Sequence, residues 1–301
     1  MKKLLLTGAG GLLGKRVLEI LRKSGKYKIF AATADGKKYS GMSGFTPIEA
    51  DLLKPAARES VMATAKPEIL VHLAWDQRAP DFRRSPANYE WLAAGLDIMR
   101  LFALGGGRRA LYAGSSSEYE AYSGGMAEGG RKREMSPYGE CKLALTNSVL
   151  PYAEKSGVSL AVARFFTIYG ENDAHEFGAI PSAMRSFARR EPVTCKAPWA
   201  IRDYIYAGDA AAAAVAILES GLRGAVNVAS GRPQTMREVF SVVAEEMNCG
   251  DMLSFDDENI SPDVLTADVS RLTDELGFRC ATDLRTGVKK CVEAIRNMGE
   301  N

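Results

Sequence analysis

Histidine is scarce in this chain of 301 residues, which contains only His72 and His175, far apart in the sequence. A metal site built from several histidines is therefore not expected, and we predict no bound metal. The five cysteines are dispersed and form no Cys-x-x-Cys pair. An odd, scattered set of this kind is typical of reduced thiols rather than of a disulfide framework. We therefore predict a cytoplasmic location.

Long apolar runs and an excess of one charge are also lacking. The first apolar run, 4–6, is broken at once by Thr7 and Gly8, and the later run 210–218 is too short to span a bilayer. Lysine and arginine together number 39, against 37 acidic residues. A concentrated basic face, which nucleic-acid and membrane-surface proteins need, is not expected from this balance. We predict neither nucleic acid nor membrane as a partner.

Short apolar runs alternate with amphipathic stretches in the first half of the chain, which is the pattern of βαβ units. The pattern predicts strands at 3–7, 28–33, 69–74, 109–113 and 160–166, and helices at 12–23, 88–104 and 137–155. Short right-handed connections then favour a doubly wound parallel sheet of the α/β class, a Rossmann fold.

The alternation weakens from about Tyr169 onwards. The later sequence predicts a helix at 209–219 capped by Asp209, a strand at 225–229, a helix opened by a Thr235/Glu238 capping box and ending near Asn248, and a helix capped by Asp268 that stops at Gly277. The glycine-rich, charged stretch 123–136 predicts a mobile surface loop. We expect a Rossmann domain at 1–168, to which 203–230 contributes, and a smaller α+β substrate portion at 169–301.

Three glycines, Gly8, Gly11 and Gly14, are spaced three apart between the first predicted strand and helix. A tight turn there needs residues without a Cβ, and a diphosphate must approach the backbone closely. The start of the helix, at Leu12 and Leu13, then supplies oriented N–H groups and a partial positive charge. A glycine turn without a ligand is the alternative, but its position favours dinucleotide binding.

The second predicted strand ends at Thr33, where NAD-specific folds normally have an acid that bonds the adenosine ribose 2′-hydroxyl. Asp35 lies slightly beyond, followed by Lys37 and Lys38. The missing acid removes repulsion against a 2′-phosphate, and the lysines would attract one. The sequence therefore predicts an NAD(P) cofactor with a preference for NADP. The alternatives are that Asp35 reaches back to the ribose, or that the lysines are merely solvated.

Tyr138 and Lys142 are four residues apart in a predicted helix, so both project from one face. A phenol has a reference pKa of about 10, and a nearby ammonium stabilises its phenolate form. Tyr138 would then exchange a proton with a substrate hydroxyl or carbonyl while a hydride moves to or from nicotinamide. We predict both residues to be catalytic.

Three consecutive serines, Ser115, Ser116 and Ser117, follow the strand predicted at 109–113. Hydroxyls at the carboxyl end of a strand in an open α/β sheet lie where ligands bind. One of them would bond the reacting oxygen and align it with Tyr138. The alternative is a serine-rich turn that satisfies its own backbone.

These pieces together resemble the extended short-chain dehydrogenase/reductase family, in its nucleotide-sugar epimerase and dehydratase branch. The resemblance covers nearly the whole chain. It rests on Thr7-Gly8-x-x-Gly11-x-x-Gly14, Asp51-Leu52, His72-Leu73-Ala74, Asn88, Ser115-Ser116, Tyr138-x-x-x-Lys142, Arg164-Phe165-Phe166-Thr167-Ile168-Tyr169-Gly170, Arg202-Asp203-Tyr204-Ile205-Tyr206, Asp209-Ala210-Ala211, Asn227 and Gly231.

The resemblance implies an NAD(P)-dependent enzyme acting on a nucleotide-linked sugar as an epimerase or 4-ketoreductase. It implies that Ser116 is the catalytic hydroxyl, with Ser115 and Ser117 close enough to be alternatives, and that Lys142 also bonds the nicotinamide ribose. Further cofactor contacts are implied for Asp51, Leu52, Leu73, Ala74 and Asn88. Substrate contacts are implied for Ser115, Ser117, Thr167 and Arg202, the last with the diphosphate unless it pairs with Asp203.

Two other functions stay open. Ser116-Ser117-Glu118 is similar to the Thr-x-Glu signature of nucleotide-sugar 4,6-dehydratases, whose glutamate assists elimination, so Glu118 is a candidate substrate-binding residue. A non-catalytic, dinucleotide-binding regulatory protein is the other alternative, which the intact Tyr138 and Lys142 disfavour. Thr167 stands where relatives often have Asn. The resemblance also implies a homodimer formed through the helices at 88–104 and 137–155.

Overall fold

The computed structural model describes residues 1–39, 41–77, 81–119, 124–130, 136–173, 178–258 and 263–299. The chain divides into two compact units, and each is described by itself. The first unit comprises Met1–Glu120, Arg131–Arg164 and Ala211–Val226. The second comprises Ala121–Gly130, Phe165–Ala210 and Asn227–Asn301.

The secondary structure alternates strands and helices through the first half of the chain. The strands are β1 (Lys2–Thr7), β2 (Tyr27–Thr33), β3 (Thr46–Glu49), β4 (Ile69–His72), β5 (Arg109–Ser115), β6 (Gly125–Met126), β7 (Ser159–Phe165), β8 (Thr167–Tyr169), β9 (Val193–Cys195), β10 (Ile201–Arg202), β11 (Tyr204–Tyr206), β12 (Gly224–Val228), β13 (Gln234–Thr235), β14 (Leu253–Phe255) and β15 (Val264–Ala267). The helices are α1 (Leu12–Ser24), α2 (Pro55–Ala65), α3 (Ala87–Leu104), α4 (Pro137–Lys155), α5 (Ala179–Ala188), α6 (Ala207–Glu219), α7 (Met236–Glu246) and α8 (Leu284–Gly299).

A seven-stranded parallel sheet with the order β12-β7-β5-β4-β1-β2-β3 is the framework of the first unit. Its central strand β1 contains Leu4, Leu5 and Leu6, which are fully buried, as expected for a parallel strand covered on both faces. The strand order reverses between β1 and β4, where Thr7 lies beside His72. Ligands of doubly wound sheets bind outside the carboxyl ends of the strands at such a reversal. The predicted fold class is confirmed.

The hydrophobic core of the first unit includes residues from the sheet and from the helices that follow β4 and β5. Leu70 of β4 belongs to one buried cluster with Ile98 and Phe102 of α3 and with Leu145 and Val149 of α4. Burial of each such side chain contributes roughly 1.5–3 kcal/mol. The core thus holds α3 and α4 in place, and with them the amino end of α4 that carries Tyr138.

The second unit is an α+β structure of short strands and three helices in the described residues. One sheet has the order β13-β10-β15-β6, and β8 and β14 pair with β11 and β9 respectively. Its buried cluster includes Phe187 of α5, Val243 of α7, Val288 of α8 and Tyr169 of β8. Within the described ranges, no helix is both long and apolar enough to cross a membrane.

Two predicted helix caps in the second half differ from the structure. Helix α6 begins at Ala207, so Asp209 lies in its first turn rather than at its N-cap, and its carboxylate accepts the Thr282 N–H at 2.8 Å. Asp268 accepts the Ser270 N–H at 2.9 Å, but only a π-helical turn follows, at Arg271–Glu275. The Thr235/Glu238 capping box is confirmed, with α7 ending at Glu246.

The predicted loop at 123–136 is only partly a loop. Gly125–Met126 form β6, which pairs with β15, and the buried Asn227 amide donates to the Met126 carbonyl at 2.6 Å. The Asn227 N–H donates to the Glu128 carboxylate at 2.8 Å, which fixes this segment further. Residues 123 and 131–135 lie outside the described ranges. The sequence interpretation also missed the helices α2, α5 and α8, the strand β3 and the short strands of the second unit.

Candidate functional site

The glycine turn between β1 and α1 packs so closely on neighbouring backbone that two of its positions exclude a Cβ. Gly8 has φ +73°, and a Cβ there would lie 2.7 Å from the Ala74 nitrogen. A Cβ on Gly14 would lie 2.0 Å from the Gly8 carbonyl oxygen, which no side chain can tolerate. The turn closes through the Gly11 N–H, which donates to the Gly8 carbonyl at 3.1 Å. Leu12 then opens α1, so its first N–H groups face the turn region.

The segment after β4 is tied to the same turn. The Thr7 hydroxyl and the His72 Nδ1 lie 2.8 Å apart, and the Thr7 hydroxyl accepts the Ala74 N–H at 3.4 Å. The Leu73 N–H donates to the Thr7 carbonyl at 3.3 Å. These bonds explain why β4 ends at His72, two residues before the predicted end. They place Leu73 and Ala74 against the glycine turn, where cofactor contacts were predicted.

The end of β2 also lies beside the glycine turn. A Cβ on Gly10 would lie 3.4 Å from the Thr33 hydroxyl and 3.7 Å from the Tyr39 hydroxyl. Tyr39 is 6% exposed, and its hydroxyl has no hydrogen-bond partner among the described residues. Burial, with a smaller effect from the Asp35 carboxylate, raises the pKa of Tyr39. The glycine turn, with the buried Tyr39 hydroxyl beside it, is suited to the binding of a dinucleotide.

A buried arginine, Arg58, fixes the turn that begins at Asp51. Arg58 of α2 donates to the Leu52 carbonyl at 2.9 Å and to the Leu53 carbonyl at 3.1 Å. Its Nε donates to the Asp97 carboxylate of α3 at 2.7 Å. Leu52 is buried and Asp51 is exposed. The predicted adenine-contacting pair therefore sits on a fixed turn.

Tyr138 has a tightly defined environment at the start of α4. Its hydroxyl accepts a hydrogen bond from the Gln77 amide at 2.7 Å, and its ring lies 5.1 Å from the Phe82 ring and 6.0 Å from the Trp75 ring. The Tyr138 N–H donates to the Arg83 carbonyl at 2.9 Å. Gln77 and Trp75 come directly after the segment bound to the glycine turn, so the phenol is placed near the predicted cofactor site.

Burial controls the protonation of the Tyr138–Lys142 pair. Burial raises the pKa of Tyr138 to about 12, while hydrogen bonds with Ser115 and Gln77 and the charge of Arg83 act in the opposite direction. Burial lowers the pKa of Lys142 to about 7, against the attraction of Glu118. The phenolate predicted near neutral pH is therefore not the state of the protein alone. Tyr138 carries its proton there, and Lys142 is close to half protonated.

Burial raises the pKa of the Tyr138 phenol, Ser115 lies close enough to lower it, and the catalytic role implied for Ser116 stays a prediction. Ser115 is the last residue of β5 and the N-cap of a 3-10 turn at Ser116–Glu118, and its hydroxyl accepts the Ser117 N–H at 3.1 Å. A Cβ on Gly139 would lie 2.4 Å from the Ser117 carbonyl oxygen. The turn formed by Ser115–Glu118, called the serine turn below, therefore packs directly on α4. The serine turn and Tyr138 are thus brought together, and the choice of the catalytic serine hydroxyl stays a prediction.

Glu118, predicted as a substrate-binding residue, points into the protein. Its side chain is 0% exposed, and one carboxylate oxygen accepts from the Arg164 Nε at 2.8 Å. The other oxygen accepts the Ser115 N–H at 2.9 Å. Arg164 is also 0% exposed and donates to the Tyr119 hydroxyl at 2.9 Å. Glu118 and Ser115 form a reciprocal capping box. The buried ion pair with Arg164 fixes Glu118 and thereby stabilises the serine turn.

Asn88, predicted to contact the cofactor, is fully engaged with the protein. Its amide nitrogen donates to the Phe82 carbonyl at 2.6 Å and to the Ser85 carbonyl at 2.9 Å. Its amide oxygen accepts from the Trp75 indole at 2.8 Å, and the residue is 2% exposed. Asn88 therefore positions Trp75 and the turn that carries Phe82, rather than offering groups to a ligand.

The two remaining predicted substrate residues, Thr167 and Arg202, belong to the second unit. Thr167 opens β8, and its N–H donates to the Asp203 carbonyl at 3.3 Å. The Arg202 guanidinium donates to the Asp263 carbonyl at 2.7 Å and pairs with the Asp263 carboxylate. Asp203, the alternative partner considered from the sequence, instead accepts from Ser230 at 2.7 Å. Arg202 is thus anchored, with 22% of its side chain exposed.

Sequence reasoning missed three residues of this site: Trp75, Gln77 and Tyr39. A usable signal existed for the first two, because they follow the carboxyl end of β4, where open α/β sheets bind ligands. Tyr39 gave no comparable signal, since its position depends on how the chain turns after β2. Its neighbours Lys37 and Lys38, which supported the NADP prediction, have side chains outside the described structure.

A protein-family model described as the NAD dependent epimerase/dehydratase family matches residues 4–229. The Bacillus subtilis protein named uncharacterized UDP-glucose epimerase YtcB is 26% identical, over 95% of this chain and 95% of its own length. A probable dTDP-glucose 4,6-dehydratase of Sinorhizobium fredii is 22% identical, over 97% of this chain and 92% of its own length.

Solved structures are similar over almost the whole chain. MoeE5 in complex with UDP-glucose and NAD has a TM-score of 0.83 at 27% identity and covers 98% of this chain and 99% of its own. The Thermus thermophilus UDP-glucose 4-epimerase in complex with NAD also has a TM-score of 0.83, at 22% identity, covering 97% of this chain and 98% of its own. The second likeness shows the fold alone.

Proposed function

We propose, since the chain belongs to the NAD dependent epimerase/dehydratase family, that it is a nucleotide-sugar epimerase acting on a UDP-hexose. The observation that carries this proposal is the buried Tyr138 hydroxyl, which accepts from the Gln77 amide at 2.7 Å and whose pKa, raised by burial, is lowered in part by Ser115 at the carboxyl end of β5. The name of the Bacillus subtilis relative and the ligands of MoeE5 support UDP as the nucleotide.

The chemistry divides between the cofactor and this chain's residues. When bound, the nicotinamide supplies a reversible hydride acceptor. Tyr138 must first release its own proton. As the phenolate it takes the proton of a sugar hydroxyl as that hydroxyl becomes a carbonyl, and it returns this proton when the hydride comes back. Gln77 donates to the phenol oxygen, Ser115 lowers the pKa of the phenol against the effect of burial, and Lys142 supplies positive charge beside it. An epimerase returns the hydride to the opposite face of the same carbon.

Glu118 argues against the 4,6-dehydratase alternative. A glutamate that assists elimination must reach the substrate and exchange a proton with it. Both Glu118 oxygens accept protein hydrogen bonds, and the side chain has no exposed surface. We therefore assign Glu118 to the support of the serine turn. The non-catalytic alternative is disfavoured by the assembled Tyr138 site.

Product analysis tests the proposed function. The purified protein is incubated with UDP-glucose, UDP-galactose, their N-acetylated forms or UDP-glucuronate, and the nucleotide sugars are separated by chromatography. We expect an isomer of one of these sugars, with no net formation of reduced cofactor. Release of a 4-keto-6-deoxy sugar would instead identify a dehydratase. Consumption of reduced cofactor only with a 4-keto sugar would identify a reductase.

We propose NAD as the cofactor, in contrast to the NADP preference inferred from the missing acid. The Asp35 carboxylate acts on the Tyr39 phenol beside the glycine turn, and the Glu49 carboxylate accepts the Gly36 N–H at 3.1 Å. Negative charge at this end of β2 would repel a 2′-phosphate. We expect calorimetric titration to give at least about tenfold tighter binding of NAD than of NADP, which is about 1.4 kcal/mol. Equal affinities would contradict this proposal, and tighter binding of NADP would restore the preference predicted from the sequence.

The remaining predictions from the sequence are kept as proposals. We assign cofactor binding to the first unit and the nucleotide part of the substrate to the second, with Arg202 as its diphosphate ligand. Association into a homodimer through α3 and α4 is consistent with Tyr89 and Tyr152 on these helices, which are 49% and 37% exposed. A cytoplasmic location is consistent with five cysteines that form no disulfide in the described structure.

A further inference from the structure

Lys142 is a buried cation with an unusual set of neighbours. Its side chain lies in the first unit, and the residue is only 4% exposed. Its ammonium donates to the Ala113 carbonyl at 2.9 Å and lies 4.0 Å from the centroid of the Trp75 ring. It lies 5.9 Å from the centroid of the Tyr138 ring. An aromatic face at 4.0 Å is well within the range in which it attracts a cation.

Trp75 is held in place independently of Lys142. Its indole N–H donates to the Asn88 amide oxygen at 2.8 Å, and Asn88 is itself fixed by the Phe82 and Ser85 carbonyls. Its ring stacks on Trp91, with centroids 6.4 Å apart, and meets the Tyr138 ring edge-on. The indole is therefore a rigid platform, and the flexible lysine side chain adapts to it.

We propose that Trp75 is a positioning residue for the Tyr138–Lys142 pair, because its indole face holds the Lys142 ammonium beside the phenol and favours the charged form of the lysine. The effect on the ammonium is a property of the protein alone. The consequence for turnover rests on the proposed function.

The direction of the effect follows from the groups that face Lys142. Glu118 from the serine turn favours the ammonium, and burial disfavours it. His72 of β4 is neutral near pH 7, because burial lowers its pKa to about 3 and Lys142 acts in the same direction. Tyr138 keeps its proton there, so neither residue adds charge. The Trp75 ring face and the Glu118 carboxylate therefore both favour the ammonium, which burial disfavours. Removal of the Trp75 ring lowers the pKa of Lys142 below about 7.

Carbon NMR of lysine-labelled protein measures this pKa directly, with the Lys142 signal assigned from its loss in Lys142→Met. We expect Trp75→Leu to lower the pKa of Lys142 by about one unit, a tenfold loss of ammonium at a given pH above it. Trp75→Phe keeps an aromatic face and should lower it less. The matched control is Trp199→Leu, which removes an indole that faces Arg237 and makes no contact with Trp75 in the described structure, and should leave the pKa unchanged.

A second measurement remains decisive if Trp75→Leu does not fold. In a Trp91→Phe/Trp199→Phe background, Trp75 is the only tryptophan, and mono-, di- and trifluorotryptophan weaken its aromatic face stepwise with little change in shape. We expect the pKa of Lys142 to fall with each added fluorine. A pKa that does not respond to fluorination, or that is the same in folded Trp75→Leu and wild type, overturns the proposal.

The kinetic consequence separates this inference from the proposed function. If Lys142 must be charged during turnover, the basic limb of the kcat profile moves to lower pH by about one unit in Trp75→Leu, with KM for the sugar nucleotide little changed. A shifted Lys142 pKa in a protein without epimerase activity would support the positioning role and contradict the proposed function. If Trp75→Leu shifts the pKa of Lys142 but leaves the pH profile of kcat unchanged, the catalytic part of the inference is overturned.

Discussion

Tyr138→Phe is expected to lower kcat by about 10²- to 10⁴-fold while leaving the fold and cofactor binding intact. The phenol oxygen is the only atom removed, and the ring keeps its contacts with Phe82 and Trp75. Gln77 loses its partner, but it is exposed and can bond to water instead. The measurement is kcat for sugar-nucleotide isomerisation, together with NAD affinity by calorimetry.

Tyr112→Phe is the matched control for the loss of a buried hydroxyl. Tyr112 lies on β5, is 1% exposed and donates to the Gly95 carbonyl at 3.2 Å. Its removal should reduce the free energy of unfolding by about 0.5–1.5 kcal/mol and leave kcat nearly unchanged. Loss of an acid–base group is expected to lower kcat by about 10²- to 10⁴-fold. If kcat stays within about threefold of wild type in Tyr138→Phe as well as in Tyr112→Phe, Tyr138 is not the proton carrier.

Arg164→Met is expected to reduce the free energy of unfolding by about 3–5 kcal/mol, the usual cost of leaving one buried charge without its partner. Glu118 and Arg164 have no exposed side-chain surface, so water cannot replace the lost cation. The Ser115 turn depends on Glu118, and we therefore expect kcat to fall as well. Denaturant unfolding followed by circular dichroism measures the first effect.

Two further variants show whether breaking the buried Glu118–Arg164 pair causes the loss of stability. In Glu118→Gln/Arg164→Met neither charge remains, so the loss of stability should be smaller than the sum for the single variants. Lys23→Met removes a cation from the exposed pair with Glu19, whose side chains are 71% and 44% exposed, and should change stability by less than about 1 kcal/mol. An Arg164→Met protein as stable as Lys23→Met would contradict the structural role given to Glu118.

The elements that the sequence predicts well are those whose cause is local. A continuous apolar run such as Leu4–Leu6 is explained only by a strand covered on both faces, and Gly8 and Gly14 mark a turn that excludes a Cβ. Helix α4 has clear local signals as well, with Ser136 at its N-cap and Pro137 at its first position. These features were enough to predict the doubly wound sheet.

Other features depend on tertiary contacts that no local pattern reports. Strand β3 is a short edge strand that contains Pro47, and α2 follows Lys54, which provides no side-chain cap. Glu118 has the spacing of a functional acid, but the burial of Arg164 beneath the turn decides its role. Likewise, Ser115 and Ser116 are equivalent in the sequence, and only the tertiary structure shows that Ser115 acts on the pKa of Tyr138.

The central claim is that a hydride leaves and returns to one sugar carbon while Tyr138 carries the proton. The most direct test uses UDP-glucose deuterated at carbon 4 and mass spectrometry of the isomer formed by the wild-type protein. The account predicts that the isomer retains the deuterium and forms more slowly than from unlabelled substrate. An isomer that has exchanged this deuterium for solvent hydrogen, or no isomer from any UDP-hexose, would contradict it.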